Sequence, residues 1–339
     1  MALNVPGVVM RQIRHIAAAL LAAALATAAW AEDQAKEEAD KTLSAVVRVK
    51  SKIMKNARSA ETLGTQREGS GVMVREGYVA TIGYLVIEAE SVEVTGADGK
   101  SVPAAVTGYD HASGFGLLKL LAPLAGRPLP LGDASAAIER LPAMIASYGG
   151  REGVSLAYVV SRRPFSGSWE YLLESAIFTY PPVPNWSGAA LISASGELLG
   201  IGSLIVNDSA GAGTASPGNM FVPVDLLKPI LDDLIASGRR SGPVRPWLGV
   251  NAEELHGRLF VTRVSPDGPA ERAGVKAGDI VLGVGGENVS SLAEFYRRVW
   301  ALGAAGTEVP LKVLQGAHIV DLAVRSIDRI ERFTKKPTY

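Results

Sequence analysis

The sequence predicts a mostly β chain: an antiparallel barrel or sandwich, then a small mixed β/α domain. Short apolar runs recur from Ser44 onward at roughly 8–15-residue spacing, with no long amphipathic helices between them. Thirty-seven Gly and 19 Pro punctuate the 339 residues, which suits short strands better than long helices. One stretch of helical periodicity, followed by a polar linker, divides the runs into two groups. The length itself favours two domains.

The elements follow in order. Residues 33–43 (DQAKEEADKTL) are charged and helix-permissive, and residues 32–43 read as an N-terminal arm. Strand-like runs then occupy 45–50, 70–74, 78–86, 91–96, 102–110, 115–120, 142–150, 155–161, 175–180, 189–193, 197–206 and 219–225. Over 224–237 the residues Leu226, Leu227, Ile230, Leu231, Leu234 and Ile235 recur at helical spacing, with Pro229 at a first turn or kink and Gly238 as the stop. RRSGPVRP (239–246) reads as a linker. Beyond it come WLGV (247–250), strands at 259–265, 279–286, 309–315 and 319–324, and a helix at 291–302 with Leu292, Phe295, Tyr296 and Val299 on one face. This second unit, within 241–330, is expected to fold alone.

The N-terminus reads as an export address. Arg11 and Arg14 precede an unbroken apolar run from Ile16 to Ala29, and Ala29-Trp30-Ala31 gives an A-x-A cleavage site before Glu32. The run of about 14 residues is short for a membrane span of ~20. Residues 1–31 are therefore expected to be a signal peptide, with an uncleaved anchor as the alternative reading, and translation can start at Met1 or Met10. The expected location is the periplasm.

Composition excludes several chemistries. Apolar residues make up 47% and charged residues 20%, which rules out a largely disordered chain. Lys+Arg and Asp+Glu both number 34, so no basic field favours nucleic acid. The absence of Cys removes disulfides, zinc ribbons, iron–sulfur sites and thiol nucleophiles. Four His and no Cys offer no metal-ligand cluster, and the glycine-rich stretches at 211–218 and 283–288 open no helix after a strand. No cofactor is expected.

Several segments, in order, resemble the HtrA (Deg-type) serine proteases. REGSGVMV (67–74) is similar to the family's glycine-serine-glycine strand, and PLGDAS (130–135) with IASYGG (145–150) to its leucine-glycine-aspartate-serine turn and the strand after it. MFVPVDLLKPILDDLIASGR (220–239) followed by RPWLGV (245–250) resembles the barrel end, helix and PDZ entry. PDGPAERAGVKAGDIVLGVGGENV (266–289) resembles the PDZ pattern. The resemblance covers most of 44–327. It implies a chymotrypsin-like double β-barrel at 44–238, a linker at 239–246, a small α/β PDZ domain at 247–327 and a C-terminal tail at 328–339.

The resemblance also locates a catalytic triad, and this chain departs from it. TIGYLV (81–86) puts Tyr84 at the family's His position, DHASGFGLLK (110–119) puts Gly114 at the Asp position, and NWSGAAL (185–191) keeps Ser187 at the nucleophile's place. A triad needs a nucleophile, a base to take its proton, and a carboxylate to orient the base. A phenol with an ordinary pKa near 10 is a poor base at neutral pH, and glycine orients nothing. The oxyanion donors implied are the N–H groups of Asn185 and Ser187, with Asn185 standing where the family has Gly and Trp186 between them. His111 lies on the wrong loop to substitute as base and reads as a solvated turn residue. No Lys neighbours either motif, and Ser187 itself can also be read as a plain turn residue.

The PDZ resemblance implies that Trp247, Leu248, Gly249 and Val250 form a loop whose N–H groups receive a peptide's terminal carboxylate, with Leu292, Phe295 and Val299 lining the facing pocket. The plain alternative is a buried strand and a core helix face. The expected function is an exported, catalytically degenerate HtrA-like protein that binds peptides, protein C-termini or unfolded segments as chaperone, adaptor or regulator. It would form homo-oligomers or mixed oligomers with an active relative. The alternative is an active serine endopeptidase using Ser187.

Overall fold

The computed structural model describes residues 33–34, 36–211 and 213–333, so the signal-peptide reading of 1–31 lies outside the described residues. Residues 36–44 (α1) and Ala60–Leu63 (α2) are helical, and twelve strands close into two antiparallel barrels. In the first, β1 (Val46–Ile53), β2 (Gln66–Arg75), β3 (Tyr78–Ile82), β4 (Ala89–Thr95), β5 (Ser101–Tyr109) and β6 (Phe115–Leu120) close in the order β1-β2-β3-β6-β5-β4. The second holds β7 (Pro142–Ala146), β8 (Val154–Gly167), β9 (Tyr171–Tyr180), β10 (Ala190–Ile192), β11 (Leu198–Val206) and β12 (Gly218–Pro223), in the order β10-β11-β12-β9-β8-β7. Closure removes the sheet edges, and inward residues such as Val49, Val94, Leu117, Ile177 and Phe221 fill the interiors.

The two barrels share one apolar core, and the PDZ unit has its own. That unit is a sheet of β13 (Val250–Leu255), β14 (Arg258–Val264), β15 (Ile280–Val284), β16 (Glu287–Asn288), β17 (Glu308–Gln315) and β18 (His318–Arg325). The helix α3 (Leu231–Ser237) precedes it, and a one-turn helix α4 (Pro269–Arg272) and the helix α5 (Leu292–Ala301) complete it. Ser291 caps α5 by accepting from the Glu294 N–H, and Leu292, Phe295, Tyr296 and Val299 are all buried, as their spacing predicts.

Several boundaries differ from the sequence reading. The strand expected over 78–86 stops at Ile82, because Gly83–Leu85 wind into a 3₁₀ turn. That expected over 142–150 stops at Ala146. The helix expected over 224–237 is two 3₁₀ turns, with Pro229 at the start of the second, and becomes α-helical only at Leu231–Ser237 before Gly238 turns left-handed. Of WLGV, only Val250 begins a strand. The hairpin β8–β9 extends well past the expected runs, through residues 162–174. His111 is not solvated: its ring lies edge-on to Tyr109 and stacks on Phe333, and both ring nitrogens are shielded from solvent. Residues 328–333 are correspondingly no free tail, since Arg329–Arg332 form a 3₁₀ turn leading to that stack.

Candidate functional site

A cleft of about 530 Å³ is lined from the first barrel by Glu68, Ser70 and Tyr84 and from the second by Tyr148, Trp186 and Ser187. Tyr84 stands on the 3₁₀ turn that follows β3. The buried Arg67 holds this turn from below, donating to the carbonyls of Tyr84 at 2.7 Å and Ile87 at 3.2 Å and to Ser59 Oγ at 2.8 Å. Burial lowers its guanidinium pKa, so those neutral acceptors satisfy a charge that desolvation disfavours. Ser187 sits on the turn between β9 and β10. The Ser70 N–H donates to its carbonyl at 2.8 Å, and Ala189 N–H donates to Trp186 O at 3.0 Å, which pins the loop across the barrel junction.

The Tyr84 hydroxyl lies 2.9 Å from Ser187 Oγ and 2.8 Å from the Ser203 carbonyl oxygen. A phenol has one proton, and a carbonyl can only accept. Both contacts are satisfied when Tyr84 donates to Ser203 O and Ser187 donates to Tyr84 Oη. Burial pushes the Tyr84 pKa up to about 12, against smaller lowering effects from hydrogen bonds to Ser187 and Trp186. At neutral pH the group facing the serine is therefore an uncharged hydroxyl, which takes up a further proton very poorly.

The strand pairing Ile82↔Phe115 brings the third position alongside, and the Gly83 N–H donates to Gly114 O at 2.7 Å. Gly114 has φ +84°, and a Cβ there would lie 3.0 Å from Tyr171 Oη. That hydroxyl donates to Ser113 O at 2.5 Å and crowds the first atom of any side chain placed there. The neighbouring carboxylate, Asp110, is committed elsewhere: Arg240 donates to both its oxygens at 2.7 and 2.8 Å, and the Ser113 N–H donates at 2.8 Å. The structure thus brings Tyr84, Gly114 and Ser187 together and, among the described residues, supplies no orienting acid. Asn185 is exposed beside them, and neither Asn185 nor Trp186 has a positive φ, so these two positions rest in angles open to any residue.

In the PDZ unit, Gly249 has φ +85°, a left-handed turn that aims the N–H groups of Leu248, Gly249 and Val250 at one point. A carboxylate occupies that point. Glu170, at the tip of the β8–β9 hairpin, accepts from Leu248 at 2.9 Å, Gly249 at 2.6 Å and Val250 at 2.9 Å. Desolvation raises its carboxyl pKa, opposed by these N–H groups and by the Arg329 charge. Leu292, Phe295 and Val299 are buried in the PDZ core, together with Leu172 from the barrel. Sequence reading missed Arg67, Glu170, Tyr171 and Ser203, because each acts through distant tertiary contacts. The Gly167-Ser168 turn signal in SGSWEY could have located the hairpin tip, though not its partner.

Among the described residues no His, Asp or Glu group converges on a metal position. Two domain families match the chain: a trypsin-like peptidase domain over residues 69–201 and a PDZ domain over residues 246–325. A Haemophilus influenzae protein named "Probable periplasmic serine protease do/HhoA-like" is 29% identical over 293 residues, spanning 79% of this chain and 60% of that protein. Serine endoprotease DegS of Escherichia coli K12 is 27% identical over 297 residues, 79% of each chain. Among solved structures, the HtrA-type protease AlgW with decapeptide superposes with a TM-score of 0.54 at 22% identity, over 88% of this chain and 98% of AlgW, which concerns the fold alone. Fold and site together define a trypsin-like double barrel joined to one PDZ domain. In both domains, and in their order, the chain is similar to the HtrA-type and Deg proteases.

Proposed function

We propose that this is an HtrA-family protein whose barrel does not cleave peptide bonds and whose PDZ domain binds peptides or unfolded segments, in a chaperone, adaptor or regulatory role. One observation carries the reading: the Tyr84 hydroxyl fills the space between Ser187 Oγ and Ser203 O where an imidazole base would have to stand. Gly114 and the Tyr171 hydroxyl beside it support the same reading, because among the described residues no carboxylate stands there to orient a base. Catalysis by such a site is limited to what oxyanion donors and binding alone supply, many orders of magnitude below an intact triad.

The PDZ assignment supports peptide binding, and the nest of three N–H groups is already shaped for a carboxylate. The periplasmic names of relatives, together with the Arg-flanked apolar run at 11–31, support an exported protein. A second reading, an active serine endopeptidase, is favoured by the retained Ser187 facing an open cleft and by the protease names of the relatives. A fluorophosphonate probe distinguishes the two. The proposal predicts no covalent adduct on Ser187, and stoichiometric labelling would establish an activated serine.

A further inference from the structure

The tip of the β8–β9 hairpin is inserted between β13 and α5. Its backbone is held on both sides: Ser168 O accepts from the Ala252 N–H at 3.1 Å on the β13 side, and Gly167 O accepts from Tyr296 Oη at 2.7 Å on the α5 side. The Glu170 N–H donates back to the same tyrosine oxygen at 3.2 Å. The Glu170 side chain then turns into the Leu248–Val250 loop, and two residues on Leu172 is 4% exposed within the PDZ core. At the outer edge Arg297 grips both oxygens of Glu174, at 2.9 and 2.6 Å.

This arrangement reproduces, within one chain, the chemistry by which a groove of this class receives a peptide end. A strand-edge N–H takes a carbonyl, a carboxylate meets consecutive backbone N–H groups, and an apolar side chain enters the core. A glutamate carboxylate has the same charge and the same two oxygens as a chain terminus. It also satisfies N–H groups that would otherwise be buried without partners. Glu170 holds φ 57°, a conformation that a non-glycine residue keeps only where surrounding contacts enforce it.

We propose that Glu170 is an internal ligand of the PDZ carboxylate loop, so that the groove is closed in cis and a peptide with a free C-terminal carboxylate binds only by displacing it. This rests on the reading of the PDZ unit as a peptide-binding domain and adds its regulation. The tethered carboxylate competes at high effective concentration, and the affinity seen from outside falls by the fraction of chains in which the hairpin tip is out. Glu170 thereby sets a threshold that weak or chance C-termini do not pass.

The test uses the full chain, with a fluorescent decapeptide ending Ala-Val-Val as free acid and as C-terminal amide. Glu170→Gly suits φ 57° and removes the carboxylate, and Glu170→Gln is the second variant if the first does not fold. The expected result is binding of the free acid about tenfold tighter or more in the variant than in the wild type, with no gain for the amide. Equal affinities in both proteins overturn the proposal. Amide hydrogen exchange at Leu248, Gly249 and Val250 without peptide separates the two layers of the argument. If neither protein binds the peptide but protection drops about tenfold in the variant, the internal ligand stands and the peptide-binding reading falls. Unchanged protection overturns the internal ligand whatever the peptide does.

Discussion

At the scale of single residues, the barrel turns on where one proton sits. Ser187 needs a neighbour that accepts its proton near neutral pH, and Tyr84 offers an oxygen whose own proton is held by Ser203 O. Because Tyr84 ionises near pH 12 when folded and near 10 when free, its burial stabilises the fold fully below pH 10. That contribution fades as pH rises through about 12. Titration of tyrosinate absorbance is expected to show one late-ionising group fewer in Tyr84→Phe, and a smaller loss of stability across that alkaline window than in the wild type, since burial also raises Tyr109, Tyr171 and Tyr296. Restoring the triad is blocked at a second residue. Gly114→Asp forces a side chain onto φ +84° and against Tyr171 Oη, which we expect to cost about 1–3 kcal/mol, read from the denaturant midpoint. Tyr84→His alone is expected to remain silent, and adding Gly114→Asp is not expected to complete the site while Tyr171 crowds the Cβ and the backbone holds φ +84°.

At the scale of elements, legibility follows locality. Strand runs such as 115–120 and 219–225, and the helix face Leu292-Phe295-Tyr296-Val299, were readable because periodicity and capping are local properties. The Tyr84, Gly114 and Ser187 positions were readable only through family resemblance, since nothing in their own segments announces a shared site. The strand ends at Ile82 and Ala146 were not, because the turns that follow depend on tertiary bonds such as Arg67 to the Tyr84 carbonyl. The hairpin tip at 167–171 was missed for the same reason: Glu170 in a polar turn reads as a solvated charge until the PDZ loop is brought to it. His111 was misread as solvated because the ring that stacks on it, Phe333, lies far along the chain, beyond the PDZ sheet.

At the scale of the whole molecule, the two units are stitched by Glu170 in the carboxylate loop, Tyr296 on Gly167 O, Arg240 on Asp110, Arg239 on Asp328 and Arg297 on Glu174. Leu172 completes the PDZ core from outside that domain. The isolated segment 241–330 is therefore expected to fold but to be less stable than the same domain in the full chain, by about 2–5 kcal/mol for one missing buried leucine. Calorimetry of the full chain should accordingly show coupled unfolding of barrel and PDZ unit, and Glu170→Gly should separate the two transitions. The central claim, that the barrel does not cleave peptide bonds, is most directly tested by incubating the full chain with casein beside its Ser187→Ala variant. The account predicts intact casein in both reactions at neutral pH. Cleavage by the wild type that is lost in Ser187→Ala would contradict it.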